Sequence, residues 1–118
     1  MFSTMEIPSG AHTSKDKSLK RILKAVDKLR KCQSEVKLIK YREIVHYIVG
    51  VMLSRKNDVL LQTTALWSLI NLINMDKQHG TEIMIEAGVP AAIHAALSGE
   101  NLSPHAQKYA SELVNVLW

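Results

Sequence analysis

Cysteine is nearly missing from this chain, and its single copy, Cys32, excludes an internal disulfide as a source of stability. Aromatic residues fill only 5% of the 118 positions against 47% apolar overall, so a core has to be built from Leu, Ile, Val and Ala. Proline (3) and glycine (5) are scarce too, and the composition favours helices over sheets. No stretch approaches the roughly 18 to 20 uninterrupted apolar residues of a membrane span. Met1 to Pro8 lack the basic start and apolar run of a secretory signal, so the expected address is cytoplasmic and/or nuclear. The five histidines, His12, His46, His79, His94 and His105, have no partner at metal-ligand spacing. Gly-rich phosphate loops, nucleophile elbows and convincing carboxylate pairs are likewise missing, so no metal, cofactor or enzymatic activity is expected.

What is present is a single domain's worth of apolar periodicity with an uneven charge. The net charge is +4, but residues 1–60 hold 13 of the 15 Lys and Arg against 6 acids, a balance of +7, and residues 61–118 carry −3. The two halves therefore face different electrostatic company. Residues 1–15, rich in Ser, Thr, Gly and Pro, read as a disordered lead-in to a domain over 16–118. Leu19, Ile22, Leu23, Val26 and Leu29 recur at three- and four-residue steps, predicting a helix over 16–33 whose polar face is almost wholly basic.

From Glu35 to Ser54 the chain is too apolar all round for a surface helix, and reads as a short helix before Tyr41 and a buried one after it. Asp58 is placed to cap a helix from Val59 to about Met75. Thr81 opens a short helix that Gly88 ends, Pro90 opens another that Gly99 closes, and Ser103-Pro104 opens a third. A short, a medium and a longer helix thus follow one another twice, over about 35–75 and 80–118. At an offset of 44 residues Val45 falls on Val89, Leu53-Ser54 on Leu97-Ser98, Asn57 on Asn101, Leu69 on Leu113 and Asn71 on Asn115.

The segment from Leu61 to Leu72, with Ala65 and the spacing Trp67-x-x-x-Asn71, resembles the third helix of an armadillo repeat. Glu86 to Pro90 is similar to that family's Gly-containing turn, and Ile93 to Leu97 to the end of its second helix. The resemblance covers about 35–118. It implies an all-α fold, a short right-handed armadillo-type α-solenoid of about two three-helix repeats with an N-terminal capping helix. It also implies a concave groove in which Asn71 holds the backbone of a partner peptide and Trp67 walls a side-chain slot. In the second copy Asn115 is kept, while Ser111 stands where the Trp would be.

The expected function is a non-enzymatic adaptor binding another protein's peptide or helix around Trp67 and Asn71. A bland alternative leaves Trp67 packed between repeats and Asn71 at a polar helix edge. The basic helix, with Lys20, Arg21, Lys24, Lys28 and Lys31, is a solvated outer face on one reading. On others it is a patch for nucleic acid, an anionic membrane surface or an acidic protein, or an arm for a neighbouring groove. Val114, Leu117 and Trp118 leave apolar bulk on the last helix, so a scaffold or assembly subunit working through that end, as a homo-oligomer or with a partner, is the further alternative.

Overall fold

The computed structural model describes residues 7–11, 13–99 and 102–117. Among them are six helices and no strand: α1 (Lys17–Lys31), α2 (Lys37–Ser54), α3 (Val59–Met75), α4 (Lys77–Ala87), α5 (Val89–Leu97) and α6 (Pro104–Leu117). Every start except that of α2, which has no side-chain cap, has a local cause. Asp16 accepts from the amides of Ser18 (2.9 Å) and Leu19 (3.3 Å), Asp58 from Leu61 (3.1 Å), Asp76 from His79 (3.1 Å), and the Ser103 hydroxyl from Ala106 (3.1 Å). These bonds satisfy donors that a helix N-terminus leaves free. Gly88, at φ +88°, ends α4 in the left-handed region and lets α5 begin at the next residue.

Three local expectations differ from the structure. The break at Tyr41 does not occur: between Lys37 and Val49 there is no Gly, Pro or capping residue, and α2 runs through unbroken. The first copy is therefore two helices, not three. The helix expected from Thr81 begins four residues earlier, at Lys77, because Asp76 caps it and Gly80 is accepted inside it. Finally, part of the lead-in is packed: Pro8 and Ala11 are buried around a turn in which the Ala11 amide donates to the Pro8 carbonyl at 3.0 Å.

α3 is the centre of the molecule, with every residue from Leu61 to Ile73 buried. α1 and α6 pack on α3, and α4 and α5 pack on α2, with α4 against α3 as well. Leu19, Ile22, Val26 and Leu29 carry α1 into the shared core. Gln62, only 3% exposed, ties α3 to the end of α2 by donating to the carbonyls of Met52 (3.0 Å) and Arg55 (2.9 Å). At the same corner the Arg55 guanidinium bonds to both Asp16 and Asp58, linking the caps of α1 and α3.

The offset of 44 residues is visible in burial as well as in identity. Val45 and Val89, Ile48 and Ala92, Val49 and Ile93, Met52 and Ala96, Ala65 and Tyr109, and Leu69 and Leu113 are all buried, while Leu53 and Leu97 are both exposed. The Cα radius of gyration, 12.9 Å, is close to the roughly 13.5 Å of a compact chain this long.

Candidate functional site

Trp67 and Asn71 share a face of α3, as their spacing requires, and that face lies under α1. They are 4% and 8% exposed. Asn71 uses both ends of its amide: Nδ2 donates to the Trp67 carbonyl at 2.8 Å, and Oδ1 accepts from Arg30 of α1 at 3.0 Å. A peptide reaches this pair only where α1 gives way. The Trp67 indole N–H and the Thr64 hydroxyl, three residues apart on the same helix, are buried with no protein partner. In the second copy the expected positions diverge: Ser111 and Asn115 are exposed. Asn71 and Asn115 are therefore equivalent in sequence but not in access, because α1 covers α3 and no helix among the described residues covers α6 in that way.

The accessible concavity lies on the other flank of α1. A cleft of about 540 Å³ opens between α1 and α2, lined by Arg21, Ala25, Lys28, Leu29 and Cys32 from the first helix and Lys40, Glu43 and Ile44 from the second. Leu29 and Ile44 form its buried floor, Ala25 and Cys32 line it half-buried, and Arg21, Lys28 and Lys40 stand around it with one carboxylate, Glu43. None of Arg21, Lys28 and Lys40 makes an ion pair among the described residues. The Arg21 Cζ lies 4.0 Å from the ring centroid of Tyr47, a cation–π contact that places the guanidinium at the cleft edge. The volume falls within the range of sites that hold a ligand or a few side chains. A second depression, by Lys56, Asn57 and Leu102, encloses only about 10 Å³, room for about one water.

Of the five expected basic residues, Arg21 and Lys28 line this cleft. Lys20, Lys24 and Lys31 are exposed around the rest of α1, Lys31 in a solvated pair with Asp27 at 3.3 Å. Lys40, Glu43, Ile44 and Cys32 were not among the candidates. Splitting α2 at Tyr41 hid the shared flank of Lys40, Ile44 and Tyr47, whose spacing of four and three is the signal that finds it. At the other end, Leu117 is 9% exposed and Val114 and Val116 pack against the core, so the apolar bulk of α6 is largely absorbed within the fold. Trp118 lies outside the described residues.

Other chemistry is sparse. No three His, Cys, Asp or Glu residues among those described gather to hold a metal, and no described helix is long and apolar enough to cross a membrane. The Asp16 carboxyl is held down to about 2 by its bond from Arg55, with help from the amides it caps. Burial pushes the Tyr41 and Tyr109 hydroxyls above the usual tyrosine range. All three side chains are tied to helix ends or core contacts and not to the cleft. In comparison with known proteins, no family model matches the chain, and no curated protein or solved structure is significantly similar to it.

Proposed function

We propose that the chain is a non-enzymatic protein-binding module of armadillo type that takes an acidic, partly apolar segment of a protein partner in the α1–α2 cleft. The carrying observation is the cleft itself: three cations from two helices, without ion-pair partners, over apolar side chains. Positive walls attract carboxylates, speed encounter at low salt and disfavour basic segments, while the half-buried Ala25 and Cys32 leave room for an apolar anchor. The burial echo at 44 residues and the row of α1, α3 and α6 support the repeat architecture.

A second reading keeps Trp67 and Asn71 as the partner site, reached when α1 swings away. The unpartnered Thr64 hydroxyl and Trp67 indole beneath that helix favour it. One experiment separates the two. Random peptides displayed on phage are selected against the whole chain, and the enriched clones are re-tested against Arg21→Glu/Lys28→Glu and against Asn71→Ala. The cleft reading expects acidic clones that lose at least tenfold in affinity with the first variant and keep it with the second. Clones indifferent to Arg21 and Lys28 refute it.

A further inference from the structure

The negative half of the chain carries a surface whose charges mirror those of the cleft. On α4, Glu82 and Glu86 flank Ile85, the second most exposed of the exposed large hydrophobics at 52%. Their spacing of three and four residues puts all three on one helix edge. Arg42 of α2 joins this edge through its bonds to Glu86 at 2.8 and 2.9 Å, both side chains remaining at least half exposed. The edge therefore presents two carboxylates, one apolar side chain and one cation. The cleft presents Arg21, Lys28 and Lys40, apolar surface, and one carboxylate, Glu43.

We infer that a second copy of this chain is an occupant of the cleft, docking its α4 edge between α1 and α2 so that Ile85 meets the half-buried Ala25 and Cys32. Glu82 and Glu86 then face Arg21, Lys28 and Lys40, and Arg42 faces Glu43. The inference rests on the cleft being a protein-binding surface for acidic segments, and names the segment. Its geometry follows from α2, which contributes to both surfaces. Arg42 lies two residues from Lys40 and from Ile44, and at 100° per residue that sets it nearly opposite them on the helix. Cleft and edge thus lie on opposite flanks of one helix. A contact between them is heterologous and leaves a free cleft at one end and a free edge at the other, so copies add head to tail instead of closing as a twofold dimer.

Sedimentation velocity of the full chain over a range of concentrations at low salt tests this. Wild type is expected to show growing association that weakens at least tenfold between 50 and 500 mM salt, as exposed charges are screened. Arg21→Glu/Lys28→Glu and Glu82→Lys/Glu86→Lys are each expected to stay monomeric alone and to associate when mixed, since each restores the opposite charge for the other. Circular dichroism checks that both remain folded. Cys32 gives a readout that needs no variant: it is the only thiol and lines the cleft, so alkylation by an excess of a maleimide should slow at least fivefold as protein concentration rises. Wild type that stays monomeric with a constant Cys32 rate overturns the inference, and if displayed acidic peptides still bind, the broader reading survives. Association indifferent to both charge pairs also overturns it, and so do charge-reversed variants that fail to associate when mixed.

Discussion

Replacing Gly80 by Ala asks whether the approach of α4 to α2 is as close as the structure has it. An exposed helix interior would gain about 1 kcal/mol from the change, because Ala loses less backbone entropy than Gly. At this site a Cβ would lie 2.5 Å from the Tyr41 hydroxyl oxygen and 2.9 Å from the Cδ1 of Ile73. Tyr41 is 1% exposed and its hydroxyl donates to the Leu72 carbonyl, so it has nowhere to retreat without giving up that bond. Overpacking costs about 1–3 kcal/mol, and loss of the buried hydrogen bond about 1 kcal/mol more. After the helix gain, Gly80→Ala should destabilise by about 1–3 kcal/mol, read from urea denaturation at constant m. The decisive arm is the same change in a Tyr41→Phe background. Without the hydroxyl, the nearest ring atom is Cζ at 3.5 Å, ordinary contact distance, leaving only Ile73 to adjust. The cost should fall by about 1 kcal/mol or more, a coupling that contacting residues show and distant ones do not. An unchanged cost in that background, or a stabilising Gly80→Ala in the wild type, refutes the packing argument.

Two further outcomes follow from the corners of α1. The Asp16 carboxyl, held down to about 2 from its ordinary 3.8, contributes stability that is fully present above pH 3.8 and lost as pH falls toward 2. Asp16→Asn should therefore flatten the fall in urea midpoint across that window and leave its remaining slope alone; an identical acid limb in both proteins excludes the pairing with Arg55. At the other end of α1, Arg30→Met removes the donor to Asn71 and leaves a buried amide oxygen unpaired. A loss of about 1–3 kcal/mol is expected, with faster hydrogen exchange in α1 than in α3, whereas uniform acceleration through every helix would mean that α1 does not open separately.

Much of the fold was legible because its punctuation is local. Asp16, Asp58, Gly88 and Ser103 act within three residues of themselves, and the 3.6-residue period of Leu19, Ile22, Val26 and Leu29 names the buried face of α1 without any partner in view. Tyr41 and Gly80 show where such reading stops. They are 39 residues apart, and the close approach of α4 to α2 that their contact makes is written in neither local pattern. The candidate site divides in the same way. The cationic stripe that contains Arg21 and Lys28 could be read along one helix, but the cleft exists only because Lys40, Glu43 and Ile44 arrive from another. What covers Trp67 and Asn71 was hidden for a related reason: the packing of Trp67 stood as an alternative, but the covering helix lies 41 residues upstream of Asn71, at Arg30.

These two surfaces of α1 are not independent. Its apolar face and Arg30 attach it to α3, and its opposite flank supplies Arg21 and Lys28 to the cleft whose remaining cation is on α2. A ligand that touches cations from both helices can do so only while α1 is docked, so its binding free energy adds to the docking of α1. An occupant at a hundredfold its Kd would strengthen that docking by about 2.7 kcal/mol, comparable to everything the Arg30–Asn71 bond contributes. Conversely, any partner that reached Trp67 and Asn71 would have to displace α1 and dismantle the cleft. Occupancy of the one surface and access to the other are thus linked with opposite sign, and a ligand that binds the cleft should slow exchange at the α3 amides beneath α1 without touching α3 itself.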